Sequence, residues 1–293
     1  MYKKSKLYAP RVVGDLDLGL EPSRIAADLT RRWARIDSPG GRLPGRPDQG
    51  IYVESADQNF RVGTRRVDGD RVLHYCFADE ALLGLRGKFT DGNRVYANTV
   101  SGVVTPAILG ATQVSFGPDA AVGLNELAEG YLGCFNPYLT IRIKSNTASA
   151  GAGAACVLTL EEGLPYAILA GAWLCAYPNI YRHVINLGGV NQNSIYHSVC
   201  SVPVRITTGP NTWFWGVTWG PTEMVVNILG NLVGRHANMR HVYFGHDGGI
   251  VYQGVLGPQL AESQLQHAGR LLYNGFTVAT PNGDQLVGIE LAP

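Results

Sequence analysis

Hydrophobic and polar positions alternate along much of the chain, and this period of two predicts strands. The pattern is clearest in residues 200–223. There Val202 and Val204 alternate with polar or small residues and lead into a turn at Thr208–Asn211. The chain then returns as a second strand, which we expect to end at Pro221 because proline cannot donate to a ladder.

The returning strand is rich in tryptophan. Trp213, Trp215 and Trp219 are three of the five tryptophans in the chain, and their spacing places them on one face of the strand. Because tryptophan buries a large apolar surface, this alternation predicts the most buried strand of the sheet. A platform that stacks on sugars is the alternative interpretation of the same residues.

Further alternating stretches, bounded by turn residues, predict more strands and hairpins. These are residues 61–77 around an Asp68-Gly69 turn, 110–116, 138–160 around a small-residue tip, 241–256 around a turn at 246–249, and a last strand at 285–291. Residues 78–85 predict a single helical turn. Together these patterns predict a mainly β protein, arranged as an antiparallel sandwich or barrel of jelly-roll type.

The first 50 residues differ from this pattern and predict an extended arm that contains one short amphipathic helix. Ser23 fits an N-cap, and Ser38-Pro39 ends the helix. The candidate partner-binding residues are an apolar stripe and the basic face opposite it, namely Ile25, Leu29, Trp33 and Ile36 with Arg24, Arg31 and Arg35. The stripe needs a surface to cover it, either the protein's own β body or a neighbouring subunit.

This arm divides the chain into residues 1–50 and a β-rich body, 51–293. The body is either one β domain or two β subdomains, at about 51–170 and 171–293.

Composition narrows the classes of function. Only 16% of the 293 residues are charged, whereas 45% are hydrophobic and 37 are glycine, which suits many short strands and surfaces covered by other subunits. The net charge of +1 offers no general electrostatic attraction to nucleic acid. The five cysteines lack C-x-x-C spacing, so we expect buried, reduced thiols in a protein assembled in the cytosol.

The sequence also gives no signal for membranes. The start of the chain, Met-Tyr-Lys-Lys-Ser-Lys, lacks the apolar stretch of a signal peptide, and the longest apolar run, residues 167–176, is too short to span a bilayer.

Residue patterns that carry chemistry are weak, and we predict no catalytic residues, no cofactor and no metal. His236, His241 and His246 are five residues apart, which does not match the i, i+4 spacing of zinc-binding histidines on a helix. Glu161 and Glu162 are adjacent, so in a strand they would face opposite sides, unlike a pair of glycosidase carboxylates. No Gly-x-Ser-x-Gly motif or phosphate-binding glycine loop is present.

Several of these stretches resemble, in their order and pattern, a family of structural proteins found as decoration (cement) proteins on the heads of tailed bacteriophages. The resemblance runs from about residue 60 to the C-terminus, without the 234–240 loop. It is carried by Gly63–Arg65, Arg71–Tyr75, Ala81-Leu82, Tyr138–Ser145, Val157–Gly163, Tyr177–Tyr181, Val202–Val204, Thr208-Gly209 and Trp213–Pro221.

The resemblance implies a non-enzymatic virion protein that binds the outside of an icosahedral head. Such proteins bridge neighbouring major capsid proteins, typically as homotrimers, and are made and assembled in the host cytoplasm. This chain is about twice as long as many decoration proteins, which keeps a major shell protein as an alternative, although the expected long spine helix is missing. A carbohydrate-binding spike or fibre-head module is the second alternative, and a hydrolytic virion enzyme is the third.

Overall fold

A computed structural model shows a mainly β architecture. It describes residues 41–91, 96–97, 105–151, 153–186, 198–205, 207–225, 241–245, 247–252, 265–272 and 285–292. Within these ranges the chain forms strands, turns and loops but no helix. The predicted N-terminal helix, with its seven candidate partner-binding residues, lies outside the described residues.

Eighteen strands are described. They are β1 Arg65–Asp68, β2 Arg71–Ala78, β3 Leu82–Leu83, β4 Lys88–Thr90, β5 Tyr96–Ala97, β6 Gln113–Phe116, β7 Tyr131–Phe135, β8 Tyr138–Asn146, β9 Cys156–Leu160, β10 Leu174–Tyr177, β11 Val184–Ile185, β12 Val199–Pro203, β13 Thr207–Thr208, β14 Thr212–Met224, β15 His241–Phe244, β16 Ile250–Tyr252, β17 His267–Leu271 and β18 Gln285–Glu290.

Ten strands form the larger sheet, in the order β1-β2-β11-β4-β12-β14-β18-β17-β15-β16. Because β14 also pairs with β2, the strands β2, β11, β4, β12 and β14 close into a ring of five. All its pairings are antiparallel except the contact between β11 and β2. A sixth strand, β18, continues the sheet from the second half of β14.

Six strands form the smaller sheet, in the order β5-β10-β7-β8-β9-β6. Its inner face carries Leu132, Ile143, Leu158 and Leu174, each fully buried. Loop residues such as Leu127 complete this core. The sheet takes all its strands from one stretch of sequence, residues 96–177, whereas the larger sheet takes strands from both sides of that stretch.

Strand β14 is the centre of the larger sheet. Trp213 and Trp215 are buried on one face of β14 and Phe214 is buried on the other, so β14 is covered on both sides. Trp213 stacks on Tyr75 at 5.3 Å between ring centroids. The prediction that this strand holds the core is therefore confirmed for these two tryptophans, whereas Trp219 is 40% exposed.

The predicted end of this strand at Pro221 is wrong. The strand runs on to Met224, and Pro221 lies opposite Gly288 of β18. Gly220 explains the continuation, since it has a φ of +95° and a Cβ there would meet the backbone oxygen of Asp70 at 2.3 Å. At this glycine the strand leaves β2 and pairs with β18 instead of ending.

Most local strand predictions are confirmed. Strands β1 and β2, β8 and β9, and β15 and β16 form the three predicted hairpins, and β6 and β18 lie within predicted strands. The first turn is displaced by one residue, because Asp68 pairs with Arg71. The predicted helical turn at 78–85 is wrong, since Leu82 and Leu83 pair as β3 with β13.

Residues 41–50 pack on the β body. The Gln49 side chain is 2% exposed, and its amide nitrogen donates to the Trp213 carbonyl at 2.9 Å. Its amide oxygen accepts from the Tyr75 hydroxyl at 2.6 Å, and its backbone carbonyl accepts from the Trp215 indole at 3.1 Å. These bonds satisfy buried polar groups over the tryptophan strand. The proposed division of the body into two subdomains stays a prediction.

Candidate binding groove

An exposed aromatic groove lies on the outer face of the smaller sheet. Alternation in β7 turns Leu132 and Cys134 toward the core, which leaves Tyr131, Gly133 and Phe135 on the outer face. The neighbouring strands add outer residues in register with these three. The groove has a volume of about 400 Å³ and is lined by Gly133–Phe135, Tyr138–Thr140, Trp173, Cys175 and Tyr177.

Cross-strand pairing brings three aromatic rings to one end of the groove. Phe135 lies opposite Tyr138, and their ring centroids are 4.9 Å apart. On the other side, the Phe135 amide donates to the carbonyl of Trp173 at 3.0 Å. These rings are unusually open, with Tyr138 76%, Phe135 63% and Trp173 59% exposed.

Gly133 forms the floor of the groove. It lies between Cys175 of β10 and Thr140 of β8, so an outward side chain there would fill the space between the aromatic rings at the two ends of the groove. A Cβ at this position would meet the Tyr177 ring at 3.2 Å. The second end of the groove is closed by Tyr177, which pairs with the half-exposed Tyr131.

The polar groups of the groove are few and uncharged. The lining offers the Thr140 hydroxyl, the Cys175 thiol and tyrosine hydroxyls, but no carboxylate or basic side chain. Burial and the neighbouring Cys175 raise the pKa of Tyr177, so its hydroxyl stays protonated at neutral pH. The groove is therefore suited to apolar contact with a few neutral hydrogen bonds, and it has no acid–base pair for catalysis.

Two turns form a second exposed apolar surface, an apolar ridge. Ala107 and Ile168 exchange backbone hydrogen bonds of 2.9 and 2.8 Å, which brings two turns together. The turns present Ile108 at 76%, Leu109 at 67% and Leu169 at 70% exposure. In sequence, the Leu169 turn precedes Trp173 of the groove by only a few residues.

No sequence pattern indicated this surface. The 138–144 alternation predicts strand β8 but does not specify that β7 lies between β8 and the β10 strand that follows Trp173. The signal that was available is the run Tyr131–Phe135, in which aromatic residues and glycine alternate with Leu132 and Cys134.

A buried charged junction connects the two sheets. His183, on the segment that runs from β10 to β11, places Nδ1 2.8 Å from an Asp79 oxygen and Nε2 3.2 Å from a Glu126 oxygen. Asp79 follows β2 of the larger sheet, whereas Glu126 precedes β7 and accepts a hydrogen bond from the hydroxyl of Tyr96 in β5. The junction therefore joins one sheet to the other through a single imidazole.

The charges of the junction stabilise one another. Burial alone would lower the pKa of His183, but the Asp79 and Glu126 carboxylates raise it above its ordinary value. Burial alone would raise the pKa of Glu126, but the contact with His183 and hydrogen bonds from Tyr96 and the Gly123 amide lower it to about 2. Both ring nitrogens face carboxylates, so neither can activate a nucleophile.

The other histidines that the structure describes give no catalytic arrangement. His74 contacts the Thr218 hydroxyl at 2.9 Å, and burial, with help from Arg65, lowers its pKa to about 4. Thr218 is fully buried and donates to the Ala292 carbonyl, so this pair is structural. His241 lies 3.3 Å from His267 between ring nitrogens.

The other residues singled out from the sequence are dispersed. His236 and His246 lie outside the described residues. Glu161 and Glu162 lie in an exposed turn after β9, which agrees with the interpretation as a solvated turn. The cysteines are unpaired, and all are buried except the half-buried Cys175.

In the described part of the chain, no group of three or more ligating side chains suits a metal ion, and no helix has the length and apolarity to cross a membrane. No protein-family model matches the chain, and no curated protein and no solved structure matches it.

Proposed function

We propose that this protein is a structural component of a tailed-phage virion, which binds the outer surface of the head and bridges neighbouring major capsid proteins. The observation that carries the proposal is the aromatic groove, whose Phe135, Tyr138 and Trp173 side chains are all more than half exposed. The sequence resemblance to head decoration proteins gives the proposal its direction. The chain acts without catalysis in this role.

The chemistry of the surface favours a protein partner. Trp173, Tyr138 and Phe135 are of the residue types that dominate the energy of protein interfaces, and they surround a pocket that a partner side chain can fill. A surface this apolar is costly to leave in water, so it supports an assembled state in which a capsid protein or another copy covers it. The neutral lining agrees with a contact that excludes water.

The finer architecture and the assembly are part of the same proposal. We expect the two sheets to form a sandwich or barrel of jelly-roll type, and the protein to be a homotrimer on the capsid exterior. The N-terminal arm, with Arg24, Ile25, Leu29, Arg31, Trp33, Arg35 and Ile36, would reach a neighbouring subunit. Removing residues 1–40 tests this role while keeping Gln49 over the tryptophan strand.

The groove also supports a second candidate function, carbohydrate binding. The specific observation is that exposed aromatic rings, including Trp173 and Tyr138, lie at one end of the bare Gly133 floor, an arrangement that a sugar ring can enter. The prediction of a sugar-stacking platform on the tryptophan strand is wrong for Trp213 and Trp215, since both side chains are buried. The absence of carboxylate and amide side chains from the described lining makes sugar binding the weaker candidate, because sugar hydroxyls need such partners.

The experiment compares single variants in binding to heads. Heads assembled from the major capsid protein of the same genome are incubated with this protein, sedimented, and scored for bound copies. Trp173→Ala and Tyr138→Ala should each weaken binding by roughly 30-fold or more, because truncating a central aromatic contact costs about 2 kcal/mol or more. Tyr52→Ala is the matched control, since Tyr52 is 57% exposed and lies outside the groove.

Full binding by both groove variants would refute the role of the groove. The same wild-type protein is titrated with glycans while tryptophan fluorescence is recorded. A saturable change that Trp173→Ala removes, in a protein that does not bind heads, would select the carbohydrate-binding alternative.

A further inference from the structure

A buried lysine and an asparagine face each other on adjacent strands of the larger sheet. Strands β4 and β11 are antiparallel, with Val184 opposite Thr90 and Ile185 opposite Phe89. The next pair in this register is Asn186 and Lys88. The Lys88 Nζ lies 2.6 Å from the Asn186 Oδ1, and 98 positions separate the two residues in sequence.

The amine of Lys88 is in an unusual environment for a lysine. The residue is 1% exposed, and the two acceptors of its amine are carbonyl oxygens, that of Asn186 and the backbone oxygen of Leu83, also at 2.6 Å. No carboxylate forms an ion pair with it among the described residues. A buried ammonium without a carboxylate is costly, and the cost is relieved when the amine loses its charge.

The protonation state of this amine suits a nucleophile. Burial, followed by the charge of Arg86, lowers the pKa of Lys88 from 10.5 to about 8, although the charges of the Glu80 and Asp247 carboxylates oppose this change. Roughly one amine in ten is then neutral at neutral pH, compared with fewer than one in a thousand at the ordinary pKa.

The carboxamide of Asn186 is held in place for attack. Its Nδ2 donates to the Ala81 carbonyl at 2.5 Å, and its backbone amide donates to a Glu80 carboxylate oxygen at 2.5 Å. The Leu83 amide donates to Oδ1 at 3.4 Å, on the oxygen where negative charge develops when an amine adds to the carbonyl. The geometry thus holds the Asn186 carboxamide within hydrogen-bond distance of a buried amine.

We infer that Lys88 and Asn186 join in an intramolecular isopeptide bond. The neutral Nζ adds to Cγ of Asn186, the Nζ–Cγ bond forms, and the Cγ–Nδ2 bond breaks. The amine gives up one proton to the departing nitrogen, which leaves as ammonia. No oxidant, reductant or other reactant is needed, since one amide replaces another.

The bond would join the two ends of the segment that forms the smaller sheet. All six strands of that sheet lie between Lys88 and Asn186, so the bond ties the two ends of this segment together within the larger sheet. The aromatic groove would then be carried on a covalently closed loop. Such a link resists the separation of β4 and β11 under pulling force and is not sensitive to reducing agents. This inference does not depend on the proposed function.

The test is the intact mass of the purified full chain, followed by peptide mapping. After allowance for removal of Met1, we expect a mass lower than that of the sequence by one ammonia, about 17 Da. Trypsin does not cleave after a modified lysine, so the digest should contain residues 87–94 linked to residues 183–205. Fragmentation of this branched peptide should locate the bond at Lys88 and Asn186.

A matched variant excludes other routes to the same mass. Lys88→Arg keeps a positive charge but removes the nucleophilic amine, so it should show the full sequence mass and no branched peptide. Cyclisation of an asparagine on its own backbone also releases ammonia, and it would persist in Lys88→Arg. A wild-type mass equal to that of the sequence, or a mass loss retained in Lys88→Arg, would overturn the inference.

Discussion

Replacing Glu126 with glutamine should destabilise the protein in a way that depends on pH. Glu126 and His183 have side chains only 12% and 9% exposed, so their contact is shielded from solvent. The carboxyl pKa falls from 4.5 to about 2 in the folded protein. Since one pKa unit corresponds to about 1.4 kcal/mol, the carboxylate contributes roughly 3 kcal/mol to the free energy of unfolding when it is ionised.

The sign of each pKa change defines the pH window. The pKa of Glu126 is lowered on folding, so its contribution is present above about pH 4.5 and is lost as the pH falls toward 2. The pKa of His183 is raised on folding, so its contribution is complete below about pH 6.5 and is lost as the pH rises through the folded-state value. The junction therefore stabilises the protein most between about pH 4.5 and pH 6.5.

Urea unfolding followed by tryptophan fluorescence measures this contribution. At about pH 5.5 Glu126→Gln should unfold with a free energy lower by about 2–3 kcal/mol than the wild type, and the difference should shrink below 1 kcal/mol near pH 2. Glu162→Gln, in an exposed turn, is the matched control and should unfold like the wild type. A loss in Glu126→Gln that stays constant from pH 2 to 7 would show that packing, not charge, explains the effect.

Three other changes test separate parts of the account. Trp215→Ala should lower the free energy of unfolding by about 3–5 kcal/mol, because Trp215 is 1% exposed. Trp219→Ala should lower it less, because Trp219 is partly exposed, and chemical denaturation measures both changes. Gly133→Leu should fill the groove floor and abolish head binding while the unfolding midpoint changes little, as sedimentation and thermal unfolding would show. Under native conditions a thiol reagent should label Cys175 first, since the other four cysteines are buried, and mass spectrometry of the labelled peptides checks the order.

Local features of the fold could be predicted from the sequence because they depend on neighbouring residues. The β1–β2 and β15–β16 hairpins follow from alternating residues on both sides of glycine-containing turns. The burial of Trp213 and Trp215 follows from their size and alternation. In these segments the turn chemistry and the hydrophobic period agree, so one strand pairing is favoured.

Distant pairings could not be predicted in the same way. Strand β14 pairs with β2, more than 130 positions earlier, and no pattern in either strand specifies that partner. The continuation through Pro221 depends on how closely Gly220 approaches Asp70, a contact that only the folded chain defines. The groove likewise exists only because registers among β7, β8 and β10 bring Trp173 beside Phe135.

The junction residues were missed for a related reason. Asp79, Glu126 and His183 come from three separate parts of the chain, and each alone resembles an ordinary surface residue. Whether these residues form a buried cluster or are solvated depends on their burial, which the sequence does not give for isolated charged positions. A lone histidine between apolar residues at 180–185 was the available signal, and it does not identify a partner.

An electron cryomicroscopy reconstruction of the phage particle tests the central proposal most directly. We predict density for this chain on the outer surface of the head, with Trp173 and Tyr138 covered by a major capsid protein or by a neighbouring copy. A particle whose head lacks the chain, or one in which the groove faces solvent in every copy, would contradict the proposal.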